Sequence, residues 1–520
     1  MSTVTVYVPR DSAARALGAD AVATAVLQET RQRGQHIHLV RNSSRGLFWL
    51  EPLVEVQVGA RRLAYGPVQA QDVAALLDSG MLEGGQHPLA LGSIEDHPYL
   101  QQQERLTFAR MGITDPLSLS DYAAHEGWRG LHQALDRTPQ QIVQEVLDSG
   151  LRGRGGAGFP AGIKWKTVLD APGSQKYIVV NADEGDSGTF ADRMVLEGDP
   201  FLLIEGMIIA ALAVGATQGY VYIRSEYPDA VAVMEQAAQL ARKAGYLGPD
   251  ILGSGRSFDL QVRKAAGAYV CGEETALLES LEGKRGIVRA KPPLPALRGL
   301  FGQPTVINNV LTLAAVPFIL ARGAQAYAHF GQGRSRGTLP FQLAGNLRQG
   351  GLVEKAFGVT LRQLVQDFGG GTASGRPIRA IQVGGPLGAY LPISLLDTPM
   401  DYEALSAVGG TLGHGGVVVF DESVHMAQQA HYAFTFCAQE SCGKCTPCRI
   451  GSARGAELIE TLLAHPQQAA QHSVLLRDLC NTLLQASLCA MGGMTPFPVL
   501  SALNHFPQDF HLPAESFPAP

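Results

Sequence analysis

The sequence predicts a multidomain α/β protein, and three observations lead to this class. The chain has 520 residues, a length that accommodates two to four domains. Strand and helix candidates alternate between residues 131 and 330, which is the pattern of a largely parallel sheet with helices on its faces. From residue 421 onward the apolar residues recur at helical spacing, which predicts a helical bundle.

Composition disfavours several function classes. The net charge of −6 argues against nucleic acid and anionic membranes as partners. The N-terminus has no basic segment followed by a long apolar one, and the longest apolar runs, such as 207–215, are too short to span a bilayer. We therefore expect a soluble, cytoplasmic protein that neither inserts directly into a membrane nor binds nucleic acid.

Residues 1–85 are expected to form a small domain with the element order β-α-β-β-β-α, which resembles a thioredoxin-like domain. This head contains no cysteine, so it can hold neither a redox-active dithiol nor a thiolate-ligated cluster. Residues 86–130 are mixed and polar, and we expect an extended linker there. The strands expected in the head are 4–8, 36–41, 53–58 and 61–65, and its helices are 21–33 and 72–77.

Residues 131–330 are expected to form a Rossmann-like unit. A helix capped by Thr138 precedes a glycine-rich loop, and the loops after Val180 and Arg263 lie at the carboxyl ends of strands, where parallel sheets bind ligands. Residues 331–420 are expected to be a ubiquitin-like α+β domain without a catalytic constellation, and residues 421–520 a helical bundle. The other expected elements are strands 177–180, 219–224, 258–263, 339–344 and 378–383, and helices 138–149, 201–214, 229–244, 275–282, 360–367, 423–435, 450–463 and 474–487.

The loop Gly153-Arg-Gly-Gly-Ala-Gly-Phe-Pro160 is suited to binding an anion. Glycine lets backbone amides approach a phosphate, and Arg152, Arg154 and Lys164 add positive charge. Its G-x-G-x-x-G spacing follows a helix rather than a strand, so it is not an ordinary dinucleotide-binding turn. We interpret it as a phosphate-binding loop, and a plain surface loop is the alternative.

Three further segments supply polar groups. Asn181-Ala-Asp-Glu-Gly-Asp-Ser-Gly188 follows a strand and offers carboxylates suited to ribityl or ribose hydroxyls or to magnesium, with a polar turn as the alternative. Glu273 and Glu274 begin a helix, where carboxylates either stabilise the helix dipole or form an acid/base pair. Asn308 and Asn309 follow a proline turn and are candidates for binding a heterocycle or a phosphate.

Six of the seven cysteines fall between residues 437 and 489, which indicates a metal site rather than disulfides. Cys442, Cys445 and Cys448 have the spacing C-x₂-C-x₂-C, which presents three thiolates to a 4Fe–4S cluster. The fourth ligand must come from one of the other cysteines in this region, Cys437, Cys480 or Cys489. We favour Cys489. The alternatives are a plant-type 2Fe–2S cluster, which leaves Cys448 unexplained, and zinc, whose usual paired knuckles or histidines are missing from the sequence.

A phosphate-binding loop, carboxylates for sugar hydroxyls and an iron–sulfur cluster in one chain predict a flavin that exchanges a hydride with a nicotinamide and single electrons with the cluster. Six blocks resemble the NADH-oxidising flavoprotein subunit of respiratory complex I. This family includes the diaphorase subunits of NAD-linked hydrogenases and of soluble molybdenum formate dehydrogenases. The resemblance implies a Rossmann-like FMN domain, a ubiquitin-like domain and a four-helix bundle holding a 4Fe–4S cluster. The blocks are 153–165, 181–184, 267–286, 291–293, 299–310 and 440–449.

The resemblance also implies the roles of individual residues. Glu274 and Asp186 are the catalytic candidates, and with Phe159 and Lys291 they contact the nicotinamide nucleotide. Asp186 stands where complex I has glutamate, and Leu294 and Thr167 stand where aromatics occur, so the stacking of NAD is expected to differ. The implied FMN-binding residues are Gly153, Gly155, Lys164, Asn181, Asp183, Tyr269, Gly272, Glu273, Ile307, Asn308 and Asn309, with Glu184 as a further cofactor-binding candidate. The implied cluster ligands are Cys442, Cys445, Cys448 and Cys489.

The cysteine-free head and the segment Gly185-Asp-Ser-Gly-Thr-Phe190 most resemble the beta subunit of NAD-dependent formate dehydrogenase. This resemblance implies that electrons from formate pass through iron–sulfur clusters to FMN, which reversibly transfers a hydride to NAD⁺. The implied partners are a molybdenum-cofactor alpha subunit with further clusters and a gamma-type, thioredoxin-like 2Fe–2S subunit. The alternative is the diaphorase subunit of an NAD-reducing hydrogenase or the complex I flavoprotein. A scaffold that binds a cluster but no nucleotide is the competing non-enzymatic hypothesis.

Overall fold

The computed structural model describes residues 3–513. The end of the expected domain 421–520 therefore lies outside the described residues. The described residues form four sheets followed by a helical region. Among them, no helix is both long and apolar enough to cross a bilayer.

The head contains a five-stranded sheet of order β2-β1-β3-β4-β5, in which β1 and β2 are parallel and the other pairs antiparallel. All of the strands expected here are present. The assignment of the head as thioredoxin-like remains a prediction. Its strands are β1 (Val4–Tyr7), β2 (Ile37–Val40), β3 (Val54–Val58), β4 (Arg61–Tyr65) and β5 (Ala90–Ser93), and its helices are α1 (Ser12–Ala16), α2 (Ala19–Gln32) and α3 (Val73–Asp78).

The prediction of an extended linker at 86–130 is wrong. Its first part supplies β5, which pairs with β4 and completes the sheet of the head. Farther along, Phe108, Met111, Tyr122 and Trp128 are buried in the core of the next unit. These anchors have no helical or strand period, because turns separate the short helices that carry them. The helices are α4 (Pro98–Gln101), α5 (Leu119–Ala124) and α6 (Arg129–Leu135).

The next unit contains the parallel sheet that the alternating pattern predicts, with strand order β8-β7-β6-β9. Thr138 caps α7 by accepting from the Gln141 amide. The strand β9 was not predicted, because its asparagines made the segment look like a polar turn. The strands are β6 (Tyr177–Ala182), β7 (Gln218–Ile223), β8 (Asp259–Lys264) and β9 (Thr305–Asn309). The helices are α7 (Pro139–Asp148), α8 (Ala161–Asp170), α9 (Ala191–Gly198), α10 (Pro200–Val214), α11 (Pro228–Lys243), α12 (Glu274–Leu281), α13 (Pro295–Arg298), α14 (Val310–Ala314), α15 (Val316–Arg322) and α16 (Ala324–Ala328).

A mixed sheet of order β13-β12-β16-β14-β15 follows, with β12 and β16 parallel. The helix expected at 360–367 is present as a π-helix, Gln363–Phe368. The name ubiquitin-like for this unit remains a prediction. Its elements, with a preceding hairpin, are β10 (Gly331–Gln332), β11 (Ser335–Arg336), β12 (Thr338–Gly345), β13 (Gly351–Ala356), β14 (Ile378–Val383), β15 (Tyr390–Pro392), α17 (Tyr402–Ala407) and β16 (Gly416–Asp421).

The last unit is helical, as the periodicity predicts. The three expected helices are present and longer than expected, and a fourth segment packs between them, with a buried apolar core shared by all. The helices are α18 (Met426–Glu440), α19 (Thr446–Ala464), α20 (Ala469–Ala486), α21 (Ala490–Met494) and α22 (Pro496–His505).

Candidate cofactor site

The loops that follow β6 and β8 meet at the carboxyl edge of the parallel sheet, where the sequence predicts ligand binding. The Asn181 side chain donates from Nδ2 to the Gly272 carbonyl at 2.8 Å and so ties the two loops together. Gly272 presents an open face, since a Cβ added there would meet only the Asp183 carbonyl oxygen, at 3.4 Å. The edge is therefore braced by Asn181 and accessible at Gly272.

Asp183 is the group at this edge that most needs a ligand. Its Oδ2 is buried without a hydrogen-bond partner. Burial raises the pKa of Asp183 to about 7, against the opposing effect of Arg224. Buried polar atoms in native structures are normally paired, so an unpaired carboxylate oxygen here fits a ligand hydroxyl such as those of a ribityl chain.

The other two carboxyl groups of this loop are occupied by the protein. Glu184 accepts from the amides of Asp192 and Arg193 at 3.0 and 3.1 Å, and so caps the start of α9. Asp186 accepts from the Tyr269 hydroxyl at 2.8 Å, and Gly385 of the mixed-sheet unit packs against its carboxyl group. Burial raises the pKa of Asp186 although the Tyr269 hydrogen bond opposes the rise. Their cofactor and nicotinamide roles remain predictions.

The glycine-rich loop is a hairpin held from both sides. The Gly153 amide donates to the Phe159 carbonyl at 2.8 Å, and the Tyr402 hydroxyl donates to the Gly153 carbonyl at 2.8 Å. A Cβ added at Gly153 would meet nothing closer than 3.5 Å, which leaves this face open to a ligand. A Cβ added at Gly155 would lie 3.0 Å from the Asn309 Cβ, so the loop approaches the end of β9 closely.

The expectation that Arg152 and Arg154 complement a phosphate is wrong. The buried Arg154 guanidinium donates to the Thr338 and Arg336 carbonyls and to the Tyr327 hydroxyl, away from the loop amides. Arg152 donates to the Gly158 carbonyl and pairs with Glu403. Both arginines build the loop, because a guanidinium with several fixed donors is well suited to bracing carbonyls. Lys164 alone of the three basic residues faces the site.

Lys164 belongs to a small cluster of charges at the start of α12. Its Nζ donates to the Ile307 carbonyl at 2.8 Å and lies 3.9 Å from the Glu274 carboxylate. Lys291 donates to Glu274 at 2.7 Å and to Glu273 at 3.0 Å. Glu273 is also the N-cap of α12 and accepts from two backbone amides. Glu274, placed between two lysines and free of the capping role, is the more available carboxylate.

The residues at the end of β9 are buried and partly engaged. Asn308 accepts from the Trp165 indole at 2.8 Å. Asn309 caps α14 and donates to Asp192 at 2.6 Å. Ile307 offers its carbonyl to Lys164. Their contacts with FMN, like that of Asn181, remain predictions.

Apolar side chains border this site. Phe159, which precedes α8, is 51% exposed, and Leu294 and Leu297 are exposed to the same extent. The helix α13, which contains Leu297, packs against α8. Exposed apolar side chains in a group mark binding surfaces more often than single ones do, and this group is available to a planar nucleotide ring.

Three cysteines lie where the spacing places them, at the start of α19. Cys448 is buried, while Cys442 and Cys445 are partly exposed. The turn that contains Cys489 packs against them, since a Cβ added at Gly492 would lie 2.8 Å from the Cys448 Cβ. Burial raises the pKa of Cys489 to about 11, and the amides of Gly492 and Met491 oppose this rise by donating to its sulfur. Such N–H donors suit a thiolate that ligates a cluster.

The remaining cysteines have structural surroundings. Cys480 belongs to the apolar core of the helical unit. Cys437 is fully buried and its sulfur accepts from the Thr495 hydroxyl at 3.1 Å. Cys271 is also buried. The arrangement favours Cys489 over Cys480 as the fourth ligand, and that choice remains a prediction.

The cysteine loop is fastened to the flavin side of the molecule. Glu440, which ends α18, accepts from the Tyr269 amide at 2.9 Å. Lys444 donates to the Val288 carbonyl at 2.7 Å, and Arg285 to the Cys442 carbonyl at 3.2 Å. One continuous segment, 269–288, therefore contacts the sheet edge on one side and the cysteine loop on the other.

Comparison with known proteins agrees with this arrangement. The profile of the Nuo51 FMN-binding domain matches residues 146–318, and that of the NADH-ubiquinone oxidoreductase-F iron-sulfur binding region matches residues 428–512. The chain is 45% identical over 408 residues to the second F-type chain of the NADH-quinone oxidoreductase of Rhizobium meliloti, covering 78% of this chain and 97% of that protein. The chain belongs to the NADH-quinone oxidoreductase F-type family.

Two relatives of the chain come from hydrogenases. The NADP-reducing hydrogenase subunit HndC of Solidesulfovibrio fructosivorans is 44% identical over 421 residues, which is 81% of this chain and 86% of that one. The crystal structure of an NAD⁺-reducing [NiFe]-hydrogenase in the H₂-reduced state matches with a TM-score of 0.68 and 29% identity over 99% of this chain and 85% of that one.

Family membership and geometry agree on the cofactors. This F-type family member is an NAD-dependent oxidoreductase that binds FMN, a 4Fe–4S cluster and NAD(H). The open faces of Gly153 and Gly272 and the unpaired Asp183 oxygen fit FMN, and the cysteine turn with its backbone donors fits the cluster.

The mixed-sheet unit supplies functional surroundings that the sequence did not reveal. We expected no catalytic constellation in residues 331–420, but Tyr402 holds the glycine-rich loop and His414 lies between Asp192 and Glu184. A histidine between two glycines in a loop has no periodic signal, and its partners lie more than two hundred residues away. Only the three-dimensional contact identifies it.

Proposed function

We propose that this chain is the diaphorase subunit of an NAD-dependent formate dehydrogenase. The observation that carries the choice is the head without cysteine, since the first cysteine of the chain is Cys271. A head without thiolates has no ligands for a thiolate-held cluster, so electrons must enter from clusters on partner subunits. These partners are a molybdenum-containing alpha subunit and a 2Fe–2S gamma subunit. A diaphorase subunit of an NAD-reducing hydrogenase is the second candidate, supported by the hydrogenase relatives.

FMN, when bound, supplies hydride exchange with nicotinamide and single-electron exchange with the cluster. The residues of the chain position these groups. The amides around Gly153 hold the phosphate, and the Asp183 carboxylate accepts from ribityl hydroxyls. The exposed Phe159 and Leu294 cover the nucleotide. Because no side chain forms a covalent bond to substrate, the protein acts by orientation and electrostatics.

Glu274 is proposed to bind the nicotinamide nucleotide, and Glu274→Gln tests this. The structure places its carboxylate 2.7 Å from Lys291 and 3.9 Å from Lys164. Losing a charge-assisted hydrogen bond costs about 1.5–3 kcal/mol, so we expect kcat/KM for NADH to fall about 10- to 100-fold with ferricyanide as acceptor. Flavin content should stay at the wild-type value.

Glu279→Gln is the matched control for this variant. Glu279 lies on the same helix but pairs with Arg289, outside the charge cluster. We expect its NADH oxidation to equal that of the wild type. Unchanged turnover in Glu274→Gln, or flavin loss equal to the loss of turnover, contradicts the assigned role.

The proposed physiological role is tested with the complex that co-purifies with the tagged full-length chain. NAD⁺ reduction is measured with formate and, separately, with hydrogen as the electron donor. Formate-dependent NADH formation supports the proposal, and hydrogen-dependent formation replaces it with the hydrogenase role. NADH oxidation by an artificial acceptor, without activity toward either donor, leaves the diaphorase chemistry and rejects both partners.

A further inference from the structure

His414 connects the mixed-sheet unit to the glycine-rich loop. Its ring is buried in the turn before β16. Its Nδ1 lies 2.8 Å from the Arg154 carbonyl oxygen, which is part of the glycine-rich loop. Its Nε2 lies 3.1 Å from Asp192 Oδ1 and 3.3 Å from Glu184 Oε1. Both nitrogens of one ring therefore face acceptors on elements that border the cofactor site.

The contacts of His414 close into a ring. Asp192 accepts through its other carboxylate oxygen from Asn309 Nδ2, at 2.6 Å. The Asn309 Cβ lies against Gly155, at the 3.0 Å approach that leaves no space for another side chain. Gly155 directly follows Arg154, whose carbonyl faces His414. The glycine-rich loop is thus gripped at one point from the mixed sheet and at the next from the end of β9.

The charges around this ring are also consistent with an imidazolium. Burial opposes a charged His414, but Asp192 and Glu184 raise its pKa well above the usual range. An imidazolium donates from both nitrogens, which satisfies the Arg154 carbonyl and the carboxylates together. A buried charge that loses its partner is costly, so replacing His414 leaves Asp192 without its main counter-charge.

We propose that His414 is a positioning residue that fixes the glycine-rich loop in the shape that binds the FMN phosphate. It acts through the Arg154 carbonyl and through Asp192 and Asn309, without touching the flavin. The proposal rests on the proposed role of this loop in holding the phosphate.

The test compares FMN with riboflavin, which lacks the phosphate. Dissociation constants are measured by flavin fluorescence on the full-length chain after flavin removal, for the wild type and His414→Asn. Asparagine retains a donor near the position of Nδ1 and removes the contact with the carboxylates. We expect the affinity for FMN to fall at least tenfold while the affinity for riboflavin changes less than threefold.

Asp192→Asn provides a second variant in case His414→Asn does not fold. It removes the same contact from the other side and should weaken FMN selectively as well. The double variant should bind FMN no more weakly than the weaker single variant, because both changes break one contact. Additive losses in the double variant overturn the proposed coupling.

Glu205→Gln is the control for general destabilisation. Glu205 is buried in α10 and accepts from the Tyr122 hydroxyl and the amides of Trp128 and Leu131, away from the glycine-rich loop. We expect it to lower the melting temperature without changing the ratio of FMN to riboflavin affinity. Equal loss of both flavins in the His414 and Asp192 variants, no loss in either, or a stoichiometric divalent metal in the wild type that His414→Asn loses, overturns the proposal.

Discussion

Cys489→Ser is expected to eliminate the 4Fe–4S cluster, whereas Cys480→Ser is expected to retain it. The turn of Cys489 packs on Cys448, and backbone amides donate to its sulfur. Cys480 lies instead in the apolar core between the helices. Serine is a poor ligand for iron–sulfur clusters, which are held by thiolates. Iron and acid-labile sulfide per chain, together with the EPR spectrum of the reduced protein, measure the outcome.

Cys437→Ser separates this assignment from the plant-type 2Fe–2S alternative. Cys437 accepts a hydrogen bond from Thr495 and is fully buried, so we expect its replacement to retain the cluster at some cost in stability. Cluster loss in Cys437→Ser or Cys480→Ser, with a normal cluster in Cys489→Ser, would assign the fourth ligand to another residue.

Asp183→Asn is expected to weaken FMN binding and, at the same time, to stabilise the flavin-free protein. The carboxylate supplies hydrogen bonds of about 1.5–3 kcal/mol to bound hydroxyls, so we expect a loss in affinity of about 10- to 100-fold. In the flavin-free protein the same carboxylate has an oxygen buried without a partner. Isothermal titration with FMN measures the first effect and thermal unfolding the second.

The stabilisation should depend on pH in a defined direction. Burial raises the pKa of Asp183 from 3.8 to about 7. A raised carboxyl pKa means that ionisation costs folding free energy, and the cost grows as the pH rises from about 4 to about 7. At pH 8 the cost reaches about 4 kcal/mol at most, so Asp183→Asn should raise the melting temperature by several degrees. At pH 4.5 the two proteins should unfold at nearly the same temperature.

Asp199→Asn is the contrasting control. Asp199 is equally buried, but it pairs with Arg110 at 2.8 Å. Neutralising it leaves the arginine unpaired, so we expect destabilisation at pH 8. Stabilisation in both variants, or in neither, would contradict the interpretation of Asp183 as an unpaired ligand-binding group.

Prediction from the sequence succeeded where local chemistry decides the structure. The cap of α7 at Thr138, the parallel sheet and the helical C-terminal unit all follow from spacing and side-chain type. The convergence of the loops after β6 and β8 follows from the geometry of parallel strands. These features need no knowledge of distant contacts.

Features that depend on distant partners were not predictable. Arg154 has the charge of a phosphate-binding residue, yet carbonyls from the mixed-sheet unit draw it into the interior. Residues 86–130 have the composition of a linker, yet single aromatics such as Tyr122 anchor them in a neighbouring core. In both cases the decisive partners are close in space but far along the chain.

The hydrogen bond between Glu440 and the Tyr269 amide has a consequence for how the protein unfolds. Because segment 269–288 also holds the cysteine loop through Lys444, the flavin and cluster regions share one structural boundary. Separation of the two regions would break these bonds and uncover the buried side chains between them, so they should form a single cooperative unit. On heating, we expect flavin release and cluster bleaching to follow one transition curve, and removal of either cofactor should lower the temperature at which the other is lost.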